Sequence, residues 1–184
     1  RSAMSIPRTL SLRKDGGHFA LVQKPVKTLD SWRGEPLRVS NKSIEDAAAE
    51  VAEVHGARFD IQLRLAPGDA DEAGIKLRVG NGEETLVGWS RLKGGVFVDR
   101  THSGNGGFHP DFRGVYVAPL DLRDGVVDLR IVCDDCSVEV FADGGAAVIT
   151  DLIFPSGSSQ GLTFFAKGGE AKVVAANIFP LGRR

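Results

Sequence analysis

The sequence predicts an all-β fold: an antiparallel sandwich of two sheets, jelly-roll or concanavalin-like, built from about ten short strands. Three observations predict it. Apolar residues recur with period two over most of the 184-residue chain. The chain carries 23 Gly and 8 Pro, many of them between those runs, where turns are needed. No strand–helix–strand alternation interrupts the pattern, which excludes a parallel sheet. The length suits one domain, long enough to bury about 70% of its unfolded surface without a metal or disulfide.

The elements follow in order. Leu10 and Leu12 alternate with Ser11 and Arg13, Asp15-Gly16-Gly17 turns the chain, and Phe19 to Gln23 returns as far as Pro25. This reads as a hairpin. Residues 1–26 are therefore taken as a lead-in segment and first hairpin, and 27–184 as the sandwich. Residues 43–54 read as a helix, with Ser43 as cap, Asp46 three residues on and Ala47 to Ala49 following. A polar, irregular strand fits that stretch equally well. Phe59, Ile61, Leu63 and Leu65 then alternate with Asp60, Gln62 and Arg64. Ile75, Leu77 and Val79 lead to a turn at Gly80-Asn81-Gly82. Leu86 to Trp89 and Val96 to Val98 follow. Leu129, Ile131 and Cys133 form one strand and Val138 and Val140 the next, across Asp134-Asp135. Apolar runs at 147–154, 161–166 and 172–179 complete the set. Residues 99–119 read as one long loop with two His, two Asp, two Arg and three aromatics. Loops of that length in compact domains commonly carry function.

The charge balance narrows the function. Lys and Arg number 23 against 24 Asp and Glu, with no basic stripe, which argues against a nucleic-acid partner. No apolar run approaches the roughly 20 residues of a membrane helix, and no polybasic anchor exists, so no membrane partner is expected. Residue 1 is Arg and no charged-then-apolar leader follows, so no signal peptide is read; either the start has been removed or the chain is a piece of something longer.

Cys133-x-x-Cys136 straddles a hairpin turn, without the helix start a redox pair needs or the second ligand pair a zinc site needs; two buried free thiols are the default. Asp99, His102, His109 and Asp111 match no metal-ligand spacing and read as polar groups satisfying loop backbone, so no metal and no cofactor is expected. Asp99 and Glu139 could meet as a carboxylate pair, but alternating charges on strands more often form a solvated face. A sugar site fits the long loop better. It offers planar polar groups for vicinal hydroxyls in Arg100, Ser103, His109 and Asp111, and rings for C–H faces in Phe108, Phe112 and Tyr116. The plainer reading of the two Phe is that they pin the loop to the core.

The motifs themselves carry a resemblance. Arg1 to Leu12, with Ser5-Ile6-Pro7-Arg8, and Leu21-Val22-Gln23-Lys24-Pro25-Val26 resemble the segment that leaves the catalytic propeller in glycoside hydrolase family 32, the β-fructosidases. Val96-Phe97-Val98-Asp99-Arg100-Thr101-His102-Ser103-Gly104 with Phe108-His109-Pro110-Asp111-Phe112 resembles the most diagnostic motif of their C-terminal domain. Asp128 to Ile131, Ser137 to Ala142 and Ile153-Phe154-Pro155 resemble its closing motif. Cys133 and Cys136 stand where the family usually has an aliphatic residue and a Ser. The resemblance implies a β-sandwich from a secreted, extracellular fructan-hydrolysing enzyme, with a catalytic propeller upstream. It implies no catalytic residue in this chain, because the family's Asp-Pro and Glu-Cys motifs are absent. The chain alone is thus expected not to hydrolyse fructans. A more distant likeness to carbohydrate-binding module family 66 implies binding of fructan or a terminal fructosyl unit, with Asp99, Arg100, Ser103, His109 and Glu139 as the contacts. The alternative is a purely structural module that packs on the propeller or mediates oligomer contacts.

Overall fold

The computed structural model describes residues 3–182. Thirteen strands are found among them. Strands β1 (Arg8–Asp15) and β2 (His18–Pro25) form the lead-in hairpin. The rest build two sheets. One has six strands in the order β11-β10-β9-β4-β13-β3, the other five in the order β12-β5-β6-β7-β8. The first set comprises β3 (Leu37–Ser43), β4 (Phe59–Ala66), β9 (Val127–Cys133), β10 (Ser137–Ala142), β11 (Ala147–Leu152) and β13 (Lys172–Pro180). The second comprises β5 (Glu72–Gly80), β6 (Glu83–Ser90), β7 (Gly95–Asp99), β8 (Val115–Pro119) and β12 (Gly161–Lys167). Every strand pairing is antiparallel.

The period-two pattern becomes the inner faces. Ile61, Leu63 and Leu65 of β4 and Leu129 and Ile131 of β9 meet Ile75 and Leu77 of β5 in one continuous core. At about 25 cal/mol per Å² of apolar area, that shared core is the main force holding the sheets together. The helix reading of residues 43–54 holds over α1 (Ile44–Glu50). The Ser43 hydroxyl accepts from the Asp46 N–H at 3.1 Å, and Ile44 and Ala47 face the core.

Two strands differ from the sequence reading. The sequence pattern does not predict β3, and β8 falls inside the 99–119 stretch that reads as one long loop, closing it at Val115. Both are edge strands. β8 carries no buried residue and β3 buries only Val39, so neither shows the alternation that identifies a half-buried strand.

The outer face of the six-stranded sheet is set by the same register. One transverse row runs Phe179–Asp60–Val132–Glu139–Thr150, the next Arg38–Asn177–Gln62–Arg130–Phe141–Val148, and a third Ser40–Ala175–Arg64–Asp128. The lead-in segment lies across this face. It is held there by two arginine–carboxylate pairs, Arg8 to Glu139 at 2.6 Å and Arg13 to Asp143 at 2.5 Å, and just beyond it Arg33 pairs with Asp60 at 2.8 Å. Gly145 (φ 99°) lets the hairpin lie down, since a side chain there would run into the Gln23 carbonyl oxygen.

Candidate functional site

The loop between β7 and β8 forms one corner of the sandwich. Its first turn is local chemistry. The Asp99 carboxylate accepts the Thr101 N–H at 2.9 Å, an Asx-type turn that ends β7. Arg100 then reaches along the corner. Its guanidinium donates to the Leu152 carbonyl at 3.1 Å and to the Tyr116 hydroxyl at 2.7 Å. It stacks 4.1 Å from the Phe112 ring centroid and 4.7 Å from that of Tyr116. Asp151 of β11 stands 3.8 Å away, and burial pushes its carboxyl above the usual aspartate range, with Arg100 pulling partly back. Ser103 is buried. Its hydroxyl lies 2.6 Å from the Thr85 hydroxyl and donates to the Glu84 carbonyl at 3.2 Å.

Backbone bonds stitch the loop to the residues after β11. Phe154 N–H donates to the Ser103 carbonyl at 3.0 Å, and Asn105 N–H to the Phe154 carbonyl at 2.9 Å. Gly104 sits between them with φ 84°, where a side chain would strike the Phe154 carbonyl. Phe108, Phe112 and Phe154 pack as a trio with centroids 4.6 to 5.7 Å apart. Phe112 is half-buried against Phe154 and the Arg100 guanidinium, outside the core cluster, and Phe108 is 61% exposed. His109 is exposed on the outer limb, its Nδ1 accepting the Asp111 N–H at 3.2 Å.

The five sequence-predicted contacts therefore divide. Asp99, Arg100 and Ser103 share the corner, with Arg100 and Ser103 engaged by protein groups. His109 is nearby on the loop. Glu139 belongs to the other sheet, where it is 2% exposed and accepts the Ile6 N–H at 2.7 Å and the Arg8 guanidinium at 2.6 Å. Asp99 and Glu139 therefore face no common cleft, and a two-carboxylate hydrolytic site is not formed by them. The Cys pair flanks the β9–β10 turn as free thiols. Cys133 is buried and its thiol is pushed up to about 12 by burial, while Cys136 is half-buried. Among the described residues no group of three or more His, Cys, Asp or Glu is arranged to hold a metal. No helix among them is long and apolar enough to cross a membrane.

Two further surfaces have no signal in the sequence pattern. The hairpin turns Leu12 and Leu21, direct cross-strand partners, to solvent at 69% and 50% exposure, with Leu10 and Phe19 beside them. The alternation that identified the hairpin does not say which side is covered. The second is a groove of about 320 Å³ on the outer face of the six-stranded sheet, beside β2. Its polar residues looked in sequence like an ordinary solvated face, because their gathering depends on strand order.

Fold and corner together define an antiparallel β-sandwich domain with a stitched aromatic loop at one edge. The model of the family described as "Glycosyl hydrolases family 32 C terminal" matches residues 28–180. The chain belongs to that family. It is similar to a levanase of Bacillus subtilis (strain 168), 43% identical over 185 residues, covering 98% of this chain and 27% of the relative. It is also similar to an extracellular exo-inulinase of Aspergillus awamori, 35% identical over 187 residues, covering 98% and 35%. The crystal structure of an exo-inulinase from Aspergillus awamori superposes with a TM-score of 0.85 at 32% identity, over 99% of this chain and 36% of that one. Fructan 1-exohydrolase IIa from Cichorium intybus shares the fold, with a TM-score of 0.74 at 16% identity, over 97% and 41%. The chain thus spans about a quarter to a third of the length of these curated relatives.

Proposed function

We propose that this chain is the C-terminal sandwich of a secreted fructan-hydrolysing enzyme, and that its hairpin seats the catalytic domain of the parent. One observation carries the reading. The Leu10–Leu12–Phe19–Leu21 face is half or more exposed, on a two-stranded ribbon that precedes the family's C-terminal match at residue 28. A two-stranded ribbon is marginal alone, and a contiguous apolar face on it marks a contact surface. The ribbon is continuous with the chain that would lead to a catalytic domain, so that domain is the partner the geometry fits. The levanase and exo-inulinase relatives support fructan as the parent's substrate, and the extracellular relative supports secretion. In this reading Asp99, Arg100 and Ser103 frame the corner, Glu139 anchors the lead-in segment, and the chain itself does not hydrolyse fructan.

Light scattering of the chain tests it. The native chain is expected to self-associate in concentrated solution, and the Leu12→Ser, Leu21→Ser double variant to be monomeric with an unchanged circular dichroism spectrum. A strictly monomeric native chain would overturn the docking role, and reducing sugar released from levan would overturn the non-catalytic one. Binding of fructan by the sandwich is the second reading, and the groove beside β2 favours it.

A further inference from the structure

The geometry points to that groove as a binding site for a fructosyl unit, a proposal that rests on the fructan reading above. Its floor is the outer face of the six-stranded sheet. Asn177 of β13 and Gln62 of β4 are direct cross-strand partners, and Ala175 opposes Arg64 one step along. Across β9 the rows continue into Arg130 and Asp128. Lys24, Pro25 and Gly144 wall one side, with Phe141 beneath them. Ala175 and Gly144 add little bulk, which leaves the depression between the polar side chains open.

The chemistry of the lining selects the ligand. Among the described residues, the carboxamides of Gln62 and Asn177 make no side-chain hydrogen bond, so two NH₂ groups, with four N–H donors, and two carbonyl oxygens stand side by side and free. Arg64 and Asp128 lie 3.7 Å apart and offset each other's charge. Arg130 is already matched by Asp60 at 2.7 Å and Asp30 at 2.8 Å. Lys24 is the one remaining net charge of the groove. An uncharged ligand dense in hydroxyls fits this surface better than a phosphate or a carboxylate would. Planar amide, carboxylate and guanidinium groups each reach two vicinal hydroxyls. About 320 Å³ is at the small end of ligand sites and suits one or two sugar rings. The corner loop competes poorly for the same ligand, because Arg100 and Ser103 are spent on protein partners.

Titration of the ¹⁵N-labelled 184-residue chain with 1-kestose and with levan oligosaccharides tests the site. The side-chain NH₂ signals of Gln62 and Asn177 are expected to shift, with weak, saturable binding. The Gln62→Ala, Asn177→Ala double variant is expected to bind at least tenfold more weakly with an unchanged thermal midpoint. Ala175→Leu, which fills the floor, is expected to do the same. Shifts confined to residues 99–112, with full binding by both variants, would overturn the groove and leave fructan binding standing. No shift with any fructan at millimolar concentration would overturn both. Equal shifts with inorganic phosphate would overturn the selection of a neutral sugar.

Discussion

Glu139 offers the sharpest test of how the lead-in segment is held. Its carboxylate is 2% exposed and receives the Ile6 N–H at 2.7 Å and the Arg8 guanidinium at 2.6 Å, with the Thr150 hydroxyl at 3.4 Å. Arg8 is itself only 17% exposed, so solvent screens the pair weakly. Glu139→Ala leaves a backbone N–H and a largely buried guanidinium without their acceptor, although Arg8 keeps Gln23 and Thr150. Two bonds to a charged group at about 1.5 kcal/mol each give about 3 kcal/mol, the lower end of the cost of breaking a buried ion pair. For a domain of this size that lowers the melting temperature by roughly 6–12 °C. Glu139→Gln keeps an acceptor for Ile6 and gives up the charge, and should cost about half as much. Urea unfolding at pH 7, followed by circular dichroism, reads both. A loss below about 1 kcal/mol for Glu139→Ala, or a Glu139→Gln variant as stable as the native chain, would refute the anchoring role.

Other outcomes follow from the same geometry. Asp151 is buried and its Oδ2 has no hydrogen-bond partner, so its raised pKa means the neutral form suits the fold. Its contribution is greatest below the unfolded aspartate pKa of about 4 and is lost as pH rises through the folded value. Asp151→Asn should therefore be at least as stable as the native chain in urea at pH 7, and this advantage should shrink steadily toward pH 4. Cys133, buried with its thiol near 12, should not react with Ellman's reagent at pH 8 until the chain is unfolded. Gly104→Ala should cost at least about 2 kcal/mol, measured by chemical unfolding, because the backbone there is left-handed and closes on Phe154.

Much of the fold was legible in the sequence because burial on one side of a strand writes a period of two. β4, β5, β9 and β10 each bury one face against the core, and each was readable. β3 and β8 were not, because an edge strand with little burial writes no period. The corner loop was legible as unusual, since a Gly-rich run with clustered polar and aromatic residues has no strand pattern. Its partners were not. Arg100 finds Asp151 and the Leu152 carbonyl across some fifty positions of sequence, and Ser103 finds Thr85 on β6. Glu139 was singled out as a sugar contact, yet nothing local in sequence shows that Ile6 and Arg8 arrive to cover it. The groove is the opposite case. Gln62, Arg64, Asp128 and Asn177 are unremarkable on their own strands and become a surface only when β13, β4 and β9 are set side by side.

The arginine latches of the hairpin bear on how the two proposed surfaces relate. Arg8 and Arg13 reach different carboxylates, on β10 and on the turn after it, at opposite ends of β1. A hairpin tied at two separated points cannot pivot freely on either of them. The hairpin's leucine face is thus fixed relative to the outer sheet, and Lys24 and Pro25 of the same hairpin wall the groove. A catalytic domain seated on the leucines would then stand at a set distance and angle from a fructosyl unit held at Gln62 and Asn177. Loosening one latch should degrade both surfaces together, whereas Leu12→Ser should affect docking alone. If Glu139→Ala weakened neither fructan binding nor self-association, the hairpin would be a passenger and the coupling of the two surfaces would be wrong.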